Sequence, residues 1–465
     1  MKITNQDLQA ELNDALARHK VPGASVAVLS NGELTKAAGG VLNVNTGVEF
    51  TTDTVTHIGS ITKAFTTTLI MQLVDEGRLD LDEKVRHYLP ALRLKDPEAL
   101  EQITVKMLLN HTSGVDGAML PDHGHDEETI ECGIARFAQL GQVHRPGSEF
   151  SYCNAGTVIA GYLAQQLTGQ SWYRLIRERI FEPLRMKHAV TLPEEALLYR
   201  ASVGHYLDSV SQNLVRTSSA FLPLSFSPCG TSLMTSAADL IAFASAHMTN
   251  GLGPDGIRIL SDKSAQAMRQ VTVNNNGKGY TYIDMGLGWM VTQEGLLHHL
   301  GGSPGIRSAL YAYPNFGFAA AILTNADHGL SLINELVAPW LKEFGSTRPC
   351  GTADIRLPQK PVRVNADNYV GIYEDIVNRY IVSGASAGLT LSRQAKYAHY
   401  QNMSTEVSPP VPLIPLAEAG SFLEESAPGQ NDGLDAFRLI TFRNPGPDGR
   451  ARHLGNFQHL YPRVS

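Results

Sequence analysis

The sequence predicts an α+β fold in which an antiparallel sheet is flanked by helices and joined to an all-helical region, followed by a small antiparallel β-barrel. Three observations carry this prediction. Near the start, a helically spaced apolar set precedes two short strands around an Asn-Gly turn. In the middle, apolar residues at helical spacing mark a buried helix and further helical pieces. After Ser346 the pattern changes to short alternating runs separated by Gly, Asn, Asp and Pro, as in a small barrel. These shifts predict a first domain over 1–345, a linker containing Pro358 and Pro361 over 346–361, and a barrel domain over 362–465.

Composition bounds the function. The 465 residues suffice for two or three domains, and a hydrophobic content of 43% supplies a large core. A formal net charge of -7, with no run of Lys or Arg, argues against nucleic acid as a partner. No apolar run is long enough to span a bilayer, and Met1 to Asp7 lead directly into a polar amphipathic pattern without a signal core, so a cytoplasmic protein is expected, with no membrane partner. Cys132, Cys153, Cys229 and Cys350 show no C-x-x-C spacing, which fits a reducing compartment.

In chain order, Asn5 is expected to cap a helix carrying Leu8, Leu12, Ala15 and Leu16. Ala24 to Leu29 and Glu33 to Ala38 should pair around Ser30-Asn31-Gly32, with the helix packed on the sheet. From Ser60, the apolar residues Ile61, Phe65, Leu69, Ile70, Leu73 and Val74 form a buried helix that Gly77 ends. Leu79 to Leu89 and Ile103 to Leu109 read as further helical pieces. A loop from Arg145 enters a helix reaching about Leu167, and Ser236 or Thr235 caps a helix carrying Leu240, Phe243 and His247. Met285 to Val291 and Leu296 to Leu300 read as paired strands closed by Gly301 to Gly305. Ser308 to Tyr313 and Gly317 to Thr324 follow as strands, then a helix from Leu332 to Phe344. In the tail, Tyr369 to Tyr373, Arg379 to Val382, Leu389 to Ser392, Phe437 to Arg443 and Leu454 to Tyr461 read as barrel strands, and nothing in them suggests chemistry.

The chemistry concentrates elsewhere. In His57-Ile58-Gly59-Ser60-Ile61-Thr62-Lys63, a helix beginning at Ser60 places Lys63 over the same face, where a neutral amine takes the hydroxyl proton and makes Ser60 a nucleophile. Tyr152 and Asn154, one residue apart, point to one side of an extended loop while Cys153 points away. A phenol relays protons, and a carboxamide binds both a lysine and a substrate amide. Cys153 reads as a small packing residue and His111, leaving a helix before Thr112-Ser113-Gly114, as a hydrogen-bonding strut. His123 and His125 lie beside carboxylates at a spacing that matches no helical ligand pair, so no metal is assigned.

Together, Ser60-x-x-Lys63, Tyr152-x-Asn154 and His299-x-Gly301 resemble the three active-site elements of the penicillin-recognising serine hydrolases, in the branch containing class C beta-lactamases, DD-carboxypeptidases, D-aminopeptidases and related esterases. Residues 103–114, 181–186 and 236–240 are similar to structural signatures of that family, and the tail is similar to the lipocalin-like barrel of some members. The resemblance implies a beta-lactamase/transpeptidase-like fold and a covalent acyl-enzyme. Ser60 would attack a carbonyl while Lys63 and Tyr152 move protons, and the backbone N–H groups of Ser60 and Gly302 would form the oxyanion hole. Asn154, His299, Leu300 and Gly301 would bind the substrate, His299 through a carboxylate or the proton relay. No cofactor or metal is implied. The sequence departs from the family pattern at Cys153, at Cys229 and at His299, where classical beta-lactamases carry Lys. That last departure points away from antibiotic hydrolysis. Strand alternation lets only one of His298 and His299 face the cleft, and His299 has the glycine at the matching offset.

The expected activity is therefore hydrolysis of a small amide, a peptide that includes D-amino acids, or an ester. The alternatives are acyl transfer to an amine or alcohol, as in peptide-cyclising penicillin-binding-protein-type thioesterases, true beta-lactamase activity, and a non-catalytic binding module. Specificity is expected in loops such as 121–129 and 273–282. The substrate, the acyl acceptor and the oligomeric state are not legible.

Overall fold

The computed structural model describes residues 3–120, 128–208, 211–274, 284–345, 355, 357–360, 362–385, 388–397, 405–425, 438–456 and 458–465. Helix α1 (Asn5–His19) buries Leu8, Leu12, Ala15 and Leu16, the stripe its spacing predicts, but the cap is Thr4, whose hydroxyl accepts from Asp7 N–H. Strands β1 (Gly23–Ser30) and β2 (Glu33–Gly40) pair in register from Ser30 with Glu33 to Gly23 with Gly40. Asn31 and Gly32 both take positive φ, 53° and 79°, as a two-residue hairpin turn demands.

A seven-stranded antiparallel sheet is completed from the other end of this region by β3 (Asp284–Met285), β4 (Met290–Val291), β5 (Leu297–Ser303), β6 (Ile306–Tyr313) and β7 (Phe318–Thr324), in the order β2-β1-β7-β6-β5-β4-β3. Its two faces follow the two-residue period of each strand. Val26, Val28, Tyr311 and Ile322 pack with α1 and the last long helix, Leu330–Glu343. Ala27, Leu310 and Ala321 face the helical core, which holds Phe65, Phe243 and Trp172. β5 runs straight through Gly301 and Gly302 to Ser303, so those glycines are strand rather than the turn expected; the turn is Pro304-Gly305. Backbone pairing with β6 outweighs the turn preference of a Gly-rich stretch.

The helical piece expected over Leu79 to Leu89 shrinks to Val85–Tyr88, and the one over Ile103 to Leu109 shrinks to Val105–Leu109. The reason lies in the backbone donors: Val85, Val105 and Lys106 N–H bond to Ile103, Glu83 and Leu81 carbonyls, tying the two segments together instead of coiling each. A helix at Pro97–Leu100, capped by Asp96, was not anticipated.

The C-terminal part is a nearly closed eight-stranded antiparallel barrel: β8 (Gly371–Glu374), β9 (Asn378–Ala385), β10 (Gly388–Ala395), β11 (Val411–Pro415), β12 (Ser421–Glu424), β13 (Leu439–Arg443), β14 (His453–Asn456) and β15 (His459–Pro462). Each strand pairs with the next, and Ile372 and Val464 backbone bonds bring β8 to the end of the chain. Tyr373, Val382, Leu391, Phe422, Ile440 and Leu454 fill the interior. The run read as one strand over Leu454 to Tyr461 is two, β14 and β15. Most of the expected linker, and the loops containing His123, His125 and residues 275–283, lie outside the described residues. Among the described residues no helix is long and apolar enough to cross a membrane.

Candidate active site

Ser60 sits in a single 3-10 turn, Gly59–Ile61, that feeds directly into helix α2 (Thr62–Asp75), so the α-helix opens two residues later than expected. Lys63 still stacks one turn beyond Ser60. Its side chain is 1% exposed, and Nζ donates to the Cys229 carbonyl at 2.8 Å and to Ser60 Oγ at 3.2 Å. α2 is buried on nearly every side, with Phe65 stacked on Phe243 and Thr66 donating to the Pro228 carbonyl. A helix held this way fixes the Ser60–Lys63 pair.

The Ser60 turn is clamped against β5 by backbone, and two glycines make this approach feasible. Gly59 has φ of 52°, and a β-carbon there would stand 2.5 Å from Gly302 N. A β-carbon at Gly301 would overlap the Ile58 carbonyl oxygen, which accepts from Ser308 Oγ at 2.9 Å. Gly302 N–H is thereby brought beside the turn that carries Ser60.

His299 and His298 fall on opposite faces of β5, as alternation requires. His298 stacks on Tyr311 on the α1 side, whereas His299 lies 6.4 Å from the Tyr152 ring, centroid to centroid. Burial, and then Lys63, push His299 down to about 3. The ring is neutral at neutral pH, so His299 does not supply the cation expected for a substrate carboxylate. Its Nδ1 donates to the Leu300 carbonyl at 2.7 Å, which leaves Nε2 as a buried acceptor without a partner among the described residues. The Leu300 side chain packs on the opposite face, so only its backbone borders the cleft.

Tyr152 arrives on the loop preceding a helix, Asn154–Thr168. Lys63 Nζ lies 4.6 Å from the centre of the Tyr152 ring. Cys153 is the N-cap: Sγ accepts from Gly156 N–H at 3.2 Å, and burial pushes the thiol up to about 12, which agrees with a packing residue. His111, at φ of 62°, accepts the Cys153 N–H on Nδ1 at 3.1 Å and lies 4.4 Å from the Tyr152 ring, centroid to centroid, so it is the expected strut. Asn154 lies apart from the Lys63 hydrogen bonds and lines a neighbouring cavity.

The barrel, whose sequence suggests no chemistry, packs against this cluster. Gln458, between β14 and β15, accepts the Tyr152 N–H at 2.8 Å, and Leu460 N–H donates to Ser151 Oγ at 3.1 Å. His459 packs edge-on to Tyr152 with ring centroids 5.5 Å apart. Burial, and then Lys63, push His459 down to about 4, and His111 is held well below its ordinary range by the same two causes. Three neutral imidazoles thus surround one lysine. The only sequence signal for His459 is a Gln and a His interrupting the apolar run from Leu454 to Tyr461. Among the described residues no cluster of His, Cys, Asp and Glu could hold a metal ion.

A family profile described as Beta-lactamase matches residues 8–335. Penicillin-binding protein 4 of Amycolatopsis lactamdurans is 37% identical over 369 residues, which cover 78% of this chain and 95% of that protein. Among solved structures, SurE superposes over 99% of both chains at a TM-score of 0.77 and 24% identity, a likeness of fold that includes the barrel. D-amino acid amidase from Ochrobactrum anthropi SV3, complexed with L-phenylalanine amide, covers 69% of this chain and 90% of its own at 28% identity and a TM-score of 0.58.

Proposed function

The chain belongs to the beta-lactamase family of serine hydrolases, and from that premise we propose that it cleaves a small amide, a peptide including D-amino acids, or an ester through a covalent acyl-enzyme on Ser60. The observation that carries this reading is the buried Lys63 Nζ 3.2 Å from a partly exposed Ser60 hydroxyl. Ser60 Oγ attacks the carbonyl carbon as its proton passes to the neutral Lys63 amine; as the leaving nitrogen or oxygen departs it takes the Tyr152 proton, which Lys63 replaces. Ser60 and Gly302 N–H groups receive the oxyanion, each contributing about 3 kcal/mol to transition-state stabilisation. Asn154 holds the substrate amide, and the backbone of Leu300 and Gly301 borders the acyl chain. His299 Nε2 accepts a hydrogen bond from the substrate rather than pairing with a carboxylate. Water then releases the acyl group. We assign this chemistry to residues 1–345 and the barrel to 362–465, joined through 346–361.

Likeness to a D-amino acid amidase supports the amide reading. The neutral His299 supports amide or ester cleavage over beta-lactam hydrolysis, since it offers no cation to an antibiotic carboxylate. A fluorophosphonate probe should label the native protein on Ser60, and Ser60→Ala should lose both the label and turnover, by roughly 10⁴-fold or more. A panel of D- and L-aminoacyl amides and esters, read by mass spectrometry with and without an added amine, separates hydrolysis from acyl transfer, and nitrocefin turnover would reveal a beta-lactamase. Absence of labelling in the native protein would sink the reading and leave a binding module.

A further inference from the structure

We infer that the cavity between the hydrolase part and the barrel is the side-chain subsite of this active site, and that it takes one apolar side chain of the substrate. The inference rests on the acyl-enzyme reading above. The cavity has a volume of about 200 Å³, and its lining includes Asn154 and Met119 from the hydrolase part and Val377, Ala395, His459 and Tyr461 from the barrel.

Position decides what it is for. Asn154 is two residues beyond Tyr152, and His459 packs on the Tyr152 ring, which lies beside Lys63, so the cavity borders the Tyr152 side of the Ser60–Lys63 pair. A group seated there belongs to the same molecule whose carbonyl meets Ser60. Chemistry decides what it holds. Met119, Val377 and Ala395 are apolar, and burial keeps His459 uncharged. Asp375 lies at the wall, but its carboxylate already accepts from Val377 N–H, from Asn378 N–H and from the Asn378 amide. The remaining polar groups, the Asn154 and Asn378 amides and the Tyr397 and Tyr461 hydroxyls, are uncharged, and most of the exposed lining is apolar. Size decides how much: the space is smaller than the pockets that hold drug-sized ligands and matches one side chain of leucine or phenylalanine size. The Asn154 amide, in the lining, would fix the adjoining peptide group.

The test compares kcat/KM for two substrate series on the full-length protein. One series varies the acyl residue in D- and L-aminoacyl amides (Ala, Val, Leu, Phe), and the other varies the leaving residue in alanyl dipeptides of both configurations. In one of the two, kcat/KM should rise on the order of 10- to 100-fold from Ala to Leu or Phe. Val377→Trp, which fills the cavity from the barrel side, should abolish that rise while fluorophosphonate still labels Ser60. Ala395→Leu, a smaller intrusion, should reduce the rise and serves if Val377→Trp does not fold. A flat series on both sides, or a rise untouched by these variants in protein that still labels, would overturn the inference. Loss of labelling in the wild type would instead overturn the acyl-enzyme reading itself.

Discussion

The two flanks of the reacting hydroxyl are held in different ways. On the Ser60 flank the restraint is backbone against backbone: the Gly59–Ile61 turn lies on β5 at a separation that excludes β-carbons, and Lys63 is fixed by a fully buried helix. On the Tyr152 flank the His111 strut is joined by the barrel, through Gln458, Leu460 and His459 on one side and Ile376 N–H bound to Asp116 on the other. A contact distance measured in backbone atoms tolerates no substitution, whereas a docked domain held by single hydrogen bonds adjusts. The difference teaches that Ser60 and Lys63 are fixed within the hydrolase part, whereas Tyr152 depends in addition on an interdomain contact.

The strongest way to break this contrast is Gly301→Ala. The added methyl overlaps the Ile58 carbonyl, so the Ser60 turn must move off β5; we expect kcat/KM to fall 100-fold or more, with KM changing less than kcat, in steady-state kinetics. A tolerated Gly301→Ala would refute the clamp. His299→Gln should cost about tenfold by losing the Nε2 acceptor, without moving any limb of the pH–rate profile between pH 5 and 8, because His299 at about 3 is neutral throughout. A limb that vanishes in this variant would mean that the histidine titrates in the working range.

The barrel-held flank is tested by pH. Burial, and then Asp375, raise Asp116 to about 6, against an ordinary value of 3.8. The folded protein therefore holds an extra proton between about pH 4 and pH 6, and stability falls as pH rises through that window, by on the order of 2–3 kcal/mol. Lys396, bound to Glu374 and the Asp375 carbonyl, moderates the repulsion. Thermal unfolding of Asp116→Asn followed from pH 4 to pH 7 should show a shallower decline, the remainder coming from Asp375, which burial also raises, while an unchanged slope would exonerate Asp116. The smallest effect is expected at Cys153→Ser. A serine reproduces the cap to Gly156 N–H and the bond to the Val115 carbonyl, so stability should shift by less than about 1 kcal/mol and kcat/KM by less than threefold. A larger loss of activity in folded protein would give the thiol a role that its buried cap geometry does not.

The sequence by itself determined the local elements and the three short motifs. The α1 stripe, the Asn31-Gly32 hairpin and the alternation that separates His298 from His299 are properties of neighbouring residues, and each appears where the pattern put it. Ser60 and Lys63, three residues apart, were legible as a pair for the same reason. Tertiary structure alone decided that Gly301 and Gly302 are strand, that His299 is uncharged, and that a turn of the barrel stands beside Tyr152. Those outcomes depend on what lies across a gap of many residues: pairing partners, burial and a nearby lysine. A one-dimensional pattern records none of them, because pairing and desolvation come from the packed surroundings of a residue, whatever its own identity.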